Sequence, residues 1–209
     1  MADWPILFSA PMVRALLDGR KTQTRRILKP QPGDDGKYHD LKSAYRALRI
    51  MRGDHLWVRE AYRAELRFDW TKPRDLSVGV PIYYAADPDP RDSEPGCAGK
   101  LRPSMFMPRW ASRLTLTVTD VRVQRVHDIS EADAWSEGCR QGHADDVGGF
   151  FPAEEPDPSG IGYRGWDNAR DWYADLWDAI NGKDAWDANP WVAAYTFTVE
   201  QRNICEAVG

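Results

Sequence analysis

Long apolar runs are missing from this chain. No stretch approaches the ~18–20 consecutive apolar residues of a membrane-crossing helix, so no membrane partner is expected. The first residues, Met1 to Pro5, lead straight into Ile6-Leu7-Phe8 without the basic start and apolar middle of a secretory signal. A cytoplasmic protein is the expectation. Cysteine is scarce too. Cys97, Cys139 and Cys205 are three, an odd number, and lie far apart, with no Cys-x-x-Cys among them. That excludes a disulfide framework and a cysteine zinc site. The four histidines are equally scattered, so neither a metal nor a cofactor is expected. Gly-x-Gly-x-x-Gly, the Walker phosphate loop, Gly-x-Ser-x-Gly and His-Glu-x-x-His are all absent, and with them the commonest nucleotide-cradling and hydrolase signatures. Positive charge is in short supply: 28 Lys and Arg face 32 Asp and Glu, a net charge of −4. Tight, non-specific duplex binding needs many phosphate contacts and is disfavoured, although a local basic cleft remains open.

What is present is a globular composition. The chain has 209 residues, 42% of them hydrophobic, enough for one large domain or a small one carrying insertions. Ten tryptophans stand out. Most should be packing, since indoles bury large area, while one or two lining a pocket could stack on a base. Along the chain, Pro5–Phe8 reads as a strand. Ser9 and Pro11 open a helix that closes at Gly19, and Thr22–Leu28 is the next strand. A helix over Leu41–Met51 and strands at Leu56–Ala64 and Pro81–Ala86 follow. A long β pattern from Leu114 to Val126 carries a kink at Asp120. Ser130 with Asp133 resembles a capping box before a short helix ending near Glu137 and Gly138. Residues 140–161 are rich in Gly, Pro and Asp and read as a long loop. Asn168–Ile180 is the clearest helix, with Trp172, Leu176, Trp177 and Ile180 on one apolar face. Trp191–Val199 closes the pattern as a strand. There is no internal repeat. Interleaving of this kind predicts an α+β fold built on a small mixed barrel rather than a doubly wound sheet.

The most concentrated chemistry lies at Gly19–Arg26, Gly-Arg-Lys-Thr-Gln-Thr-Arg-Arg. It holds four basic residues and two hydroxyls between a helix and a strand. Such a corner can grip phosphate or polarise a carbonyl. It is equally what a solvated strand edge looks like.

These residues also carry a family resemblance. The opening strand and helix followed by Gly-Arg-Lys-Thr-x-Thr-x-Arg resemble the start of an ASCH domain, a compact barrel similar to the PUA fold. Gly53-Asp54-x-Leu56-Trp57-Val58-Arg59-Glu60 resembles its second signature. Asp128-Ile129-Ser130-Glu131 through Glu137-Gly138 resembles the short helix after its long hairpin, and Pro190-Trp191-Val192 its final strand. The match covers about half of the chain in order. It implies a single domain over 1–209, a PUA-like mixed β-barrel with flanking helices and insertions at about 34–52, 67–105 and 140–165. The larger form, with Met-Pro-Arg-Trp-Ala-Ser-Arg at 107–113, is similar to members carried by bacteriophages and prophages.

One branch of that family removes the acetyl group from N4-acetylcytidine with a lysine and a threonine of a Lys-Thr-x-Thr motif and a later glutamate. Residue by residue, the resemblance places these roles on Lys21, Thr24 and Glu137. Other branches resemble RNA-binding modules. Amide hydrolysis needs an activated nucleophile, a proton donor for the leaving amine and oxyanion stabilisation. A neutral lysine can be the base, provided that burial and neighbouring cations such as Arg20, Arg25 or Arg26 lower its pKa. The expectation is a metal-independent amidohydrolase for an N4-acylated cytosine nucleoside. In it Lys21 activates Thr24 or a water and Glu137 relays a proton. Arg20, Arg25, Arg26, Trp57, Arg59 and Glu60 are the expected substrate-binding residues; among them Arg26 or Arg59 steadies the oxyanion or orients Glu60, and Trp57 and Trp110 contact the base. The alternative is a module that binds RNA or a modified nucleotide without catalysis. Two residue-level alternatives stay open: Trp57 as core or as base platform, and Arg59 with Glu60 as a structural ion pair. Regular strand geometry also puts residues three apart on opposite faces, so Lys21 and Thr24 converge only if Lys21 lies off the strand.

Overall fold

A computed structural model describes residues 1–32, 41–46, 48–142, 152–156 and 162–207. Positions 34–40 and 47 of the first expected insertion, and 143–151 and 157–161 of the third, lie outside the described residues. The strands are β1 Asp3–Leu7, β2 Gln23–Ile27, β3 His55–Arg59, β4 Tyr62–Ala64, β5 Ile82–Tyr84, β6 Thr115–Arg125, β7 Arg140–Gln141, β8 Ala153–Pro156, β9 Tyr163–Trp166 and β10 Trp191–Glu200. The helices are α1 Ala10–Leu17, α2 Leu41–Arg46, α3 Glu131–Ser136, α4 Ala169–Asn181 and α5 Ile204–Ala207. The architecture is mixed α+β. Among the described residues no ladder of strands closes into the expected barrel. No described helix is long and apolar enough to cross a membrane.

The chain divides into two compact units. The first comprises residues 1–18, 53–118 and 198–209, and the second residues 19–52 and 119–197.

In the first unit β1 runs parallel to β3, from Asp3 opposite His55 to Leu7 opposite Arg59. The other edge of β3 pairs antiparallel with the start of β6, Leu56 opposite Leu116. The turn before β3 is fixed by Asp54, whose carboxylate accepts the Ala2 N–H at 2.8 Å and the Trp4 indole N–H at 3.3 Å. Ser9 occupies the N-cap position of α1 without a side-chain cap bond, and Met12, Val13, Ala15 and Leu16 bury its inner face. The sequence reads Leu56–Ala64 as one strand; the structure breaks it after Arg59. The chain leaves one ladder and joins another there, Tyr62 pairing with Tyr84 of β5. Tyr62, Ala64, Leu76, Met107 and Ala111 form a buried cluster beside this second ladder, with Trp110 packed against it. Trp110 therefore serves the core. β6 is assigned as one strand through Asp120, and the alternation of buried positions slips there, Leu116 and Val118 being followed by exposed Thr119 and Asp120 and then buried Val121.

In the second unit the sheet order is β6, β10, β2. β10 and β2 are antiparallel, Tyr195 opposite Thr24 and Ala193 opposite Arg26. Helix α3 packs on α4, and its first residue caps that neighbour: the Glu131 carboxylate accepts the Ala169 and Arg170 N–H groups at 2.7 and 3.1 Å. Asn168 supplies the N-cap of α4 itself, accepting the Asp171 N–H at 2.8 Å. The buried face of α4 is Ala169, Trp172, Tyr173 and Trp177. Ile180, expected on that face, is 61% exposed in the last turn, where the chain departs at Gly182 with φ +105°. His127 has a partner that its sequence context does not suggest. Its Nε2 lies 2.8 Å from the Trp186 carbonyl, and the two rings are 4.6 Å apart.

The expected loop at 140–161 is also corrected. It contains β7 and β8, which with β9 make a three-stranded antiparallel sheet, Arg140 opposite Glu154 and Ala153 opposite Trp166. These strands are two to four residues long, too short for alternation to emerge above the Gly, Pro and Asp of their connections. The Leu41–Met51 helix is likewise shorter than its apolar spacing predicts and ends at Arg46.

Candidate active site

The site is assembled within the second unit by a short stretch that belongs to no strand. Gly19 has φ +73°, a left-handed value that a residue without Cβ adopts freely. The next residues run antiparallel beside the end of α3. Lys21 bridges to Glu137, the Thr22 N–H donates to the Ser136 carbonyl at 2.8 Å, and the Arg20 guanidinium donates to the Gly138 carbonyl. Only at Gln23 does β2 begin. Lys21 therefore lies off the ladder, and the rule that separates positions three apart on a strand does not govern it.

Glu137 is the C-cap of α3, and Asp133 lies four residues before it, so both carboxylates project from one helix face. The Lys21 ammonium donates to Glu137 twice, to Oε2 at 2.7 Å and to the main-chain carbonyl at 2.8 Å. Arg25 takes the other oxygen, donating from Nη1 to Oε1 at 2.8 Å, and reaches Asp133 Oδ2 from Nη2 at 3.0 Å. Gln23, on the same strand face as Arg25, donates to Asp133 Oδ1 at 2.9 Å. Arg122 of β6 adds a bond to that oxygen at 3.1 Å. Lys21 and Glu137 are each 2% exposed and Arg25 4%. The result is a network of three cations, two carboxylates and an amide, buried at Lys21, Arg25 and Glu137 and open to solvent at Arg122. It also explains why the expected capping box is only half formed. Ser130 Oγ accepts the Asp133 N–H at 3.1 Å, but the Asp133 carboxylate is drawn to Arg25, Gln23 and Arg122.

Burial lowers the pKa of Lys21. The charge and hydrogen bond of Glu137 oppose that shift, and Arg26 and Arg25 add to it. Burial likewise lowers Arg26, against the pull of Glu137, Tyr173 and Tyr195. Tyr173, whose ring lies 5.9 Å from the Arg25 guanidinium carbon, is raised well above the ordinary phenol range by burial and by the Glu137 charge. Burial alone would raise Asp133. The bonds from Arg122 and Gln23 and the charges of Arg25 and Arg122 outweigh it and hold the group below the usual carboxylate range. A depressed folded-state pKa gives stability that is complete above the unfolded value of about 3.9 and is lost as pH falls through the folded value. We therefore expect Asp133→Asn to flatten the acid side of the stability–pH curve. Urea midpoints measured from pH 6 down to pH 2 test this; an unchanged acid slope would contradict it.

Thr24 is buried on β2 and pairs through its backbone with Tyr195. The Glu137 carboxylate is bonded to Lys21 and to Arg25 and not to the Thr24 hydroxyl. The structure thus brings Lys21, Arg25 and Glu137 into contact, with Thr24 and Arg26 at the two positions of β2 that flank Arg25.

Trp57, Arg59 and Glu60 belong to the first unit. The Arg59 guanidinium lies 5.0 Å from the Trp57 ring and donates to the carbonyls of Met105 and Met107, the latter at 3.1 Å. Trp57 is buried, as a core residue would be. The ion pair of Arg59 with Glu60 does not form. Arg113 binds Glu60 instead, its Nε and Nη2 at 2.9 and 3.1 Å from the carboxylate, while its other face holds Asp87. Burial raises the Glu60 pKa against those Arg113 contacts. Three members of the network around Glu137 escape a reading of the Lys-Thr-x-Thr motif: Gln23, Arg122 and Asp133. A usable signal existed for two of them, since Gln23 alternates with Arg25 and Asp133 precedes Glu137 by one helical turn.

Among the described residues no three His, Cys, Asp or Glu side chains converge as metal ligands. Burial pushes the Cys139 thiol up to about 12, so it is an inert core group. No protein-family model matches this chain, and no curated protein or solved structure matches it either.

Proposed function

We propose that this protein is a metal-independent amidohydrolase that removes the acyl group from N4-acetylcytidine or a related N4-acylated cytosine nucleoside, on an ASCH-type, PUA-like scaffold. One observation carries the reading: the buried Glu137 carboxylate is divided between Lys21 and Arg25, one oxygen each. An arginine does not give up its proton in a protein, whereas a buried lysine does. Arg25 alone can neutralise Glu137, which frees Lys21 to exist as the uncharged base. Its lowered pKa points the same way.

In the reaction Lys21 takes the proton of the nucleophile, the Thr24 hydroxyl or a water beside it. The nucleophile's oxygen bonds to the acyl carbon, and the carbonyl becomes an oxyanion opposite the positive charge of Arg26. Collapse breaks the bond to N4. The proton held by Lys21 passes along its 2.7 Å bond to Glu137 and from there to the departing amine. If Thr24 is the nucleophile, a water then cleaves the acyl-threonine by the same route. Burial of Arg25 and its commitment to two carboxylates weigh against the alternative in which this stretch is an open basic groove for RNA.

The test is release of cytidine from N4-acetylcytidine by the chelator-treated protein. Absence of turnover in the wild type would sink the proposal. Thr24→Ala separates the two nucleophiles: loss of turnover with an unchanged melting curve assigns attack to the hydroxyl. Full activity would leave that role to water.

A further inference from the structure

The segment at 67–105 has no counterpart in the family resemblance, and the proposed reaction uses none of it. It builds a cleft of ≈ 260 Å³ within the first unit, lined in part by Trp70, Lys72, Lys100 and Phe106. Trp70 is 95% exposed, unusual for the largest side chain, and Phe106 is exposed beside it. The Lys100 ammonium lies 5.7 Å from the Trp70 ring centre, over its face. Among the described residues neither Lys72 nor Lys100 has a carboxylate partner. The one acid in the cleft, Asp69, is turned onto the chain, accepting the Lys100 N–H at 2.8 Å. A Cβ on Gly99 would fall 1.9 Å from that carboxylate oxygen, so any other residue there would push the Asp69 side chain aside. Arg102, buried beneath, ties the same turn down through the carbonyls of Phe68 and Thr71 at 2.7 and 2.8 Å. The aromatic platform is thus exposed on a turn that Arg102 holds from both sides.

We infer that this cleft binds single-stranded nucleic acid, one base stacking on Trp70 while Lys72 and Lys100 contact the flanking phosphates. Charge and shape both select this partner. Three cationic side chains line the cleft against one carboxylate that is already engaged. Its volume lies just below the ~300 Å³ at which pockets for whole drug-sized ligands begin, which suits a single base. An exposed indole offers every base a π face, and a strand carries phosphates on both sides of that base. Duplex conceals its bases and has no access to the platform.

Anisotropy titrations of the full chain with fluorescein-labelled 12-mers of oligouridylate and oligothymidylate test this, and the two arms distinguish RNA from DNA as the source of the strand. Trp70→Ala should weaken binding about 5- to 150-fold, the loss of one stacked base, and Trp70→Phe should restore most of it. Replacing Lys72 and Lys100 by alanine together should reduce the slope of log affinity against log salt by about 1.4. Unchanged affinity in Trp70→Ala, absence of binding to both strands, or equal affinity for a 12-base-pair duplex would each overturn the inference. None of these readings uses turnover, so they stand or fall apart from the hydrolase proposal.

Discussion

Lys21→Met should abolish release of cytidine from N4-acetylcytidine, a fall of about 10²- to 10⁴-fold for loss of a positioned base. Methionine fills much of the same volume, so the loss cannot be ascribed to an emptied core. In the wild type the rate should climb with pH as Lys21 sheds its proton, with a midpoint below the ordinary lysine value of about 10.4. The same group writes a signature into stability. Its folded-state pKa is depressed, so the folded protein releases this proton at lower pH than the unfolded chain does. Stability therefore rises with pH between the folded value and about 10.4 and is lost as pH falls through the folded value. Lys21→Met should lack that rise. An enzyme that keeps its rate in the variant, or a rate that falls as pH climbs from 6 to 8, would refute the role of Lys21.

Glu137→Ala should be the most destabilising change at the site. It leaves Lys21 and Arg25 buried without the carboxylate that both share, and breaking a buried ion pair from one side costs about 3–5 kcal/mol. Arg25 retains Asp133. Adding Lys21→Met to Glu137→Ala removes a buried cation and should recover part of the loss. Urea unfolding of the two single variants and the double variant measures the coupling. A loss below about 1 kcal/mol in Glu137→Ala would mean that water reaches the pair and that the site is not desolvated.

How much of this was legible beforehand depends on whether the signal was local. Strands β1, β2 and β10 and helices α1 and α4 announce themselves through apolar spacing and through caps such as Asn168, and the structure finds them within a residue or two. The break between β3 and β4 was not legible, because the apolar run continues across it and only the change of pairing partner interrupts the strand. The small β7–β9 sheet was hidden for the opposite reason, its strands being shorter than any period can reveal. At the site, the lysine motif and Glu137 are more than a hundred residues apart, and the family resemblance rather than spacing brought them together. Arg25, expected to bind substrate and to lower the Lys21 pKa, is the second partner of the Glu137 carboxylate. Glu60 shows the converse. Adjacency suggested Arg59 as its partner, but β3 ends at Arg59, and Arg113 arrives from another segment to bind Glu60.

Helix α3 carries both acids of the network on a single turn, and this sets what kinds of genetic change the protein can absorb. Substitutions on the outer side of α3 leave the two carboxylates where they are. A change of length does not. One residue inserted between Asp133 and Glu137 would swing the later carboxylate about 100° around the helix axis and carry it away from Lys21 and Arg25. Descendants of this chain can therefore vary α3 in letters far more freely than in count, and a homologue with a longer or shorter turn there would have to bring its acid from elsewhere.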